Sequence, residues 1–203
     1  VPEVQTVDPE VSRTKFAREI ERHRAQEAYH RGRGCFLIDA VFPEAFVMFV
    51  STRLPMPIVL GAVVVDFTNF DLQPPSVRFV DPHTRRHLLG KDLRWSMPRR
   101  AAMPPMPMQL MQGMVFNLQA PIQNMIQCHG PEELPFLCLP GVREYHDHPA
   151  HTGDAWLLHR GSGEGSLAFI VEQIWKYGVD PFDHFQVGLT VNGLDASPER
   201  IPA

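Results

Sequence analysis

Cysteine is scarce in this chain of 203 residues, and so is lysine. Cys35, Cys128 and Cys138 are too few to all pair within one chain, and no charged-then-apolar leader opens the sequence, so a reducing cytoplasm is the expected compartment. No uninterrupted apolar run reaches the eighteen or so residues that a membrane span needs, and Val59 to Val65 suffices only for a buried strand. A basic excess is missing as well. The formal net charge of -4 argues against a broad nucleic-acid-binding surface, and only Lys15, Lys91 and Lys176 accompany the arginines. No internal repeat emerges. Hydrophobic residues at 44% and charged ones at 21% are ordinary for a globular protein, and the length suits one compact domain, 1–203, with a sizeable core.

Pro2 and Pro9 make residues 1–11 a loose lead-in. From Ser12, a plausible N-cap, Phe16 and Ile20 mark one face of a helix that Gly32 and Gly34 end, with His23 and His30 expected in solvent. Four strand-like runs follow: Cys35 to Val41, Phe46 to Thr52, Ile58 to Phe67 and Ser76 to Val80. They are rich in Val, Ile and Phe and separated by prolines, and their short connections favour an antiparallel meander. Composition then shifts. Segment 95–114 crowds Met97, Met103, Met106, Met108, Met111 and Met114 with Pro98, Pro104, Pro105 and Pro107, which excludes regular structure throughout and fits gap-filling under a loop or a pliable partner surface. Cys128-His129 reads as structural. Near the C-terminus Leu167, Ile170, Val171 and Ile174 recur at helical spacing, with Ser166 as cap and Gly178 as stop. Gly161 to Gly165 lacks the Lys and Ser/Thr of a phosphate loop. Residues 179–203 form an extension with a strand-like patch at Phe185 to Val191.

The chemistry concentrates between Cys138 and His148. If that stretch is extended, its period of two puts Glu144, His146 and His148 on one face, and the Pro140-Gly141 turn folds Cys138 back toward them. One thiolate, two imidazoles and one carboxylate suit zinc better than calcium or magnesium. His151, Asp154 and His159 are further ligands or outer partners, with Asp147 and Asp154 as the carboxylates that orient ligating imidazoles. A closed set of four makes the metal structural. If Glu144 stays outside, the open position takes water and Glu144 becomes a general base.

The order of elements resembles the ubiquitin-conjugating enzyme fold. Asp71-Leu72-Gln73-Pro74-Pro75-Ser76-Val77-Arg78-Phe79 is similar to that family's entry into its fourth strand, Phe136-Leu137-Cys138-Leu139 falls where it keeps the thioester-forming cysteine, and Ser166 to Tyr177 resembles the helix beyond. Cys138, Glu144, His146 and His148 also match, one for one, the predicted metal-binding CEHH family associated with bacterial ubiquitin-like conjugation. These resemblances imply an α+β fold over residues 12–178, with an antiparallel meander between an N-terminal and a C-terminal helix. They also imply a zinc ion held by the four residues, and a ubiquitin-like protein or its activating enzyme as partner. The chain departs from the conjugating pattern at Asp81-Pro82-His83, where a His-Pro-Asn with an oxyanion-stabilising asparagine would stand. Two alternatives accompany the zinc reading: Cys138 as the nucleophile of an active carrier, and a cupin-like metal enzyme in which Gly141, His146, His148, Asp154 and Gly161 resemble the first cupin motif.

Overall fold

The computed structural model describes residues 4–100 and 121–184. Most of segment 95–114 and the Phe185 to Val191 patch therefore lie outside the described residues. Of that Met/Pro segment, Met97 is fully buried in the main core, in keeping with a gap-filling role.

The fold is α+β, with the element order of a ubiquitin-conjugating-enzyme-like protein. Two helices, α1 (Pro9–Ala25) and α2 (Glu27–Gly32), precede a four-stranded antiparallel sheet of β1 (Cys35–Val41), β2 (Glu44–Val50), β3 (Val59–Asp66) and β4 (Ser76–Val80) in the order β1-β2-β3-β4. Short ladders follow: β5 (Pro98–Arg100) with β6 (Ile122–Asn124), and β7 (Ile126–Gln127) with β8 (Phe136–Leu137). Then come α3 (Arg143–Asp147), a 3-10 turn (Pro149–His151), α4 (Trp156–His159) and α5 (Leu167–Gly178). No helix among the described residues is long and apolar enough to cross a membrane.

Alternation decides which face of the sheet is which. Ala45, Val47 and Phe49 of β2, Val63 and Val65 of β3, and Val77 and Phe79 of β4 point into the main core. Phe46, Ala62, Val64 and Val80 form a smaller cluster on the opposite face. The main core is closed by α1 through Phe16 and Ile20, and by α5 through Leu167, Ile170, Val171 and Ile174, an i, i+3, i+4, i+7 stripe. Ser166 caps α5 by accepting from Phe169 N, as its sequence position suggests. Glu19 joins the two helices: its carboxylate accepts from Leu167 N at 3.1 Å and from Arg22. Trp95 donates to Gly178 O at 2.8 Å and lies so close to Gly61 that a Cβ there would meet its ring at 2.2 Å, which fixes glycine at that point of β3.

Three local expectations need correction. Asp8, not Ser12, caps α1, accepting from Glu10 N, while Ser12 is buried one turn inside. The lead-in is not loose from residue 4 on, because Thr6 N and Val7 N donate to Asn69 Oδ1 at 2.6 and 3.0 Å and Asn69 Nδ2 donates to Val4 O. His23 and His30 are not solvated. Their rings stack in the core at 4.1 Å, and neither His23 Nδ1 nor His30 Nε2 has a hydrogen-bond partner among the described residues.

Candidate active site around Cys138

The site begins with a main-chain anchor. Cys138 follows β8, its N–H donates to Met125 O at 2.8 Å, and Leu137 and Leu139 on either side are buried. The thiol is 7% exposed, and burial pushes it above the ordinary thiol value while the Arg99 guanidinium opposes the shift.

Beyond Gly141 the chain does not extend. Residues 143–147 make a single helical turn, so the period-of-two argument fails and Glu144, His146 and His148 point in different directions. Arg143 explains why the turn forms here. Its buried guanidinium donates to Thr68 O at 2.6 Å and to Pro74 O at 3.1 Å, and its N–H donates to Pro75 O at 2.9 Å, so one residue clamps α3 to the approach to β4. Glu144 turns to the same strand, hydrogen-bonded by Ser76 Oγ and Val77 N and 3.5 Å from Arg78. His146 accepts from Gly141 N on Nε2 at 3.1 Å, which makes Nδ1 the protonated nitrogen facing Asp154 O at 2.7 Å. His148 accepts from Ala150 N and lies in a stack with Phe136 and His129.

Cys138, Glu144, His146 and His148 therefore do not meet at one point in this arrangement. Among the described residues no three His, Cys, Asp or Glu side chains converge closely enough to hold a metal ion. Cys128, the thiol beside His129, is exposed and hydrogen-bonds Gly130 O.

What the loop does bring to the thiol is His151, whose Nε2 lies 3.5 Å from Cys138 Sγ. Burial and the neighbouring His148 push its imidazole below the usual histidine range, and Asp154 opposes them. Tyr145 stacks on His151 with ring centroids 3.9 Å apart, and its hydroxyl donates to Asp154 Oδ2 at 2.7 Å. Burial and that carboxylate raise the phenol to about 12. Asp154 Oδ1 lies 2.5 Å from His159 Nε2, and His159 Nδ1 is hydrogen-bonded to Glu164. The Asp154 contact, helped by Glu164, holds His159 above the ordinary imidazole range. His151, Asp154 and His159 stood in the sequence only as auxiliary candidates. Their shared feature, titratable groups closely spaced in a segment rich in turn residues, was the available signal.

Fold and site together define an α+β protein of conjugating-enzyme-like architecture, in which a buried cysteine at the end of a short strand meets a half-buried histidine. The chain belongs to the Y4jH-like family, whose model (Y4jH family) matches residues 7–182. It is 49% identical over 204 residues, covering 100% of both chains, to "Uncharacterized protein y4jH" of Sinorhizobium fredii (strain NBRC 101917 / NGR234).

Proposed function

We propose that the protein is a cysteine acyl carrier, in which Cys138 accepts the C-terminal acyl group of a ubiquitin-like protein as a thioester in the cytoplasm. The observation that carries this reading is the 3.5 Å approach of His151 Nε2 to Cys138 Sγ, at the place where the resembling fold keeps its nucleophile. The opposite pKa directions of the two groups make the resting pair a neutral thiol and a neutral imidazole. Attack is therefore coupled to proton transfer. Sγ bonds to the acyl carbon, its proton passes to His151 Nε2, the bond to the activating enzyme's sulfur breaks, and the departing thiolate takes the proton.

Mixing the protein with its cognate activating enzyme, ATP and the ubiquitin-like protein is expected to give an adduct that dithiothreitol cleaves. Cys138→Ala gives none, and His151→Gln slows formation at least about a hundredfold. Absence of any adduct from wild type overturns the reading.

The same separation supports a second reading. With metal–sulfur and metal–nitrogen bonds of about 2.3 and 2.0 Å, the sulfur-to-nitrogen edge of a tetrahedral zinc shell is also about 3.5 Å, so the separation fits His151, one of the further ligand candidates, beside Cys138 on a zinc ion. Zinc binding by Cys138, Glu144, His146 and His148 requires Glu144 to leave Ser76 and Val77, and His146 to leave Gly141 and Asp154. Metal analysis of wild type beside Cys138→Ala, Glu144→Ala, His146→Ala and His151→Ala decides it. Stoichiometric zinc lost in the cysteine, histidine and Glu144 variants alike favours a structural metal, retention in Glu144→Ala alone favours an open, hydrolytic one, and equal substoichiometric metal in all five proteins removes both.

A further inference from the structure

We propose that Tyr145 is the positioning residue that fixes the His151 imidazole against the Cys138 thiol, and that Asp154 in turn fixes Tyr145. The inference rests on the reading of Cys138 and His151 as nucleophile and base. In such pairs the base is commonly oriented by a third group. Here no hydrogen bond reaches His151 Nδ1 among the described residues, and His151 Nε2 faces the thiol. Orientation has to come from the ring face.

Tyr145 supplies that face at 3.9 Å, with the two planes 24° apart. A phenol ring on a one-turn helix could exchange among its staggered χ1 rotamers unless its far end were held. Asp154 holds it through the 2.7 Å hydrogen bond to the hydroxyl, and Asp154 is itself bound on every side. Its N–H donates to His151 O at 3.0 Å, its carbonyl accepts from His146 Nδ1, and its second carboxylate oxygen meets His159, which continues to Glu164. The segment from Tyr145 to Asp154 is thus closed on itself around His151, and the closure is anchored to the loop that leads into α5.

The arrangement also suits the charge that appears during reaction. When His151 takes the thiol proton, the resulting imidazolium lies over the electron-rich face of Tyr145 and near the Asp154 carboxylate. Neither group exchanges a proton with substrate. Both hold the base where it works.

The test uses the full chain in a Cys128→Ser background, which removes the exposed thiol. The alkylation rate of Cys138 by iodoacetamide and the NMR shifts of the His151 ring protons are followed in His151→Gln, Tyr145→Leu, Tyr145→Phe and Asp154→Asn. Removing the base in His151→Gln slows alkylation at least about tenfold. Tyr145→Leu slows it in the same direction and moves the His151 ring protons downfield, because the ring current above them is gone. Tyr145→Phe keeps an aromatic face but loses the Asp154 hold, so it restores only part of that shift and broadens the His151 signals, a partial rescue that Tyr145→Leu does not give. Asp154→Asn leaves the ring in place but broadens the His151 signals, and it keeps the inference testable if Tyr145→Leu fails to fold. Slow alkylation in His151→Gln with unchanged rate and shifts in both Tyr145→Leu and Asp154→Asn overturns the positioning role alone. An unchanged rate in His151→Gln overturns the cysteine-histidine reading beneath it.

Discussion

Two groups of histidines in this molecule receive opposite treatment. His23 and His30 are stacked in the core, each with one ring nitrogen left without a partner among the described residues, and burial, then the neighbouring His30, drives His23 down to about 4. His159 lies between two carboxylates, and its imidazole is held up. The difference is whether burial comes with a hydrogen-bonding partner. An imidazole sealed without one becomes a fixed neutral ring, a packing element that acid threatens. One given two anionic acceptors becomes a cation that alkali threatens.

Three experiments sharpen or break that contrast. The largest effect belongs to the buried pair. Because the folded His23 titrates near 4 and an unfolded histidine near 6.5, the unfolded state takes up protons first as pH falls. The stabilisation is complete above about 6.5 and lost progressively toward 4, by roughly 3 kcal/mol. Urea denaturation of the His23→Phe/His30→Phe protein at pH 7.5 and 4.5 is expected to show a much smaller difference than wild type. An equal difference would place the acid sensitivity elsewhere.

A smaller effect is expected at His159, with the opposite sign. Its raised pKa means that the contribution of the Asp154 and Glu164 contacts is present below the unfolded histidine value and is lost as pH rises through the raised one. In Asp154→Asn the His159 ring protons titrate at lower pH, and the melting temperature loses part of its decline as pH rises above the unfolded histidine value. Unchanged His159 titration would show that Glu164 alone holds the charge.

The smallest effect is at Glu27, which forms an exposed i, i+4 pair with Arg31 at 2.7 Å and raises His23 slightly through its charge. Glu27→Gln is expected to cost less than about 0.5 kcal/mol at pH 7.5. It moves the His23 midpoint further down. A shift upward would mean that the stacked pair responds to helix geometry more than to field.

The sheet and α5 were legible because packing there obeys simple periods. β1 and β4 have the boundaries read from the sequence, β2 and β3 differ from theirs by one or two residues at each end, and α5 carries its stripe without interruption. His23 and His30 were legible in principle. Phe16, Ile20, His23 and His30 continue one spacing of 4, 3 and 7, so the histidines belong on the buried face, but polarity suggested solvent. The segment after Cys138 resisted for a different reason. Alternation of Glu144, His146 and His148 constrains faces only if the backbone is extended, and the backbone there is set by Arg143 reaching Thr68 and Pro74, some seventy residues away in sequence. The pairing of Cys138 with His151 depends on the same tertiary clamp, so no local pattern encoded it.

The main chain of Cys138 is tied to Met125, distant in sequence, whereas that of His151 is tied only within its own loop, its N–H donating to His148 O at 2.9 Å and its carbonyl accepting from Asp154 N at 3.0 Å. The thiol hangs from a strand end locked to Met125 and flanked by two buried leucines, whereas its partner imidazole rides on a 3-10 turn between two short helices. Any opening that admits a substrate to the 7% exposed thiol then moves the histidine side, with the cysteine as the stationary jaw. Insertions or exchanges in the turn would retune reactivity while leaving the sheet and its two packing helices untouched.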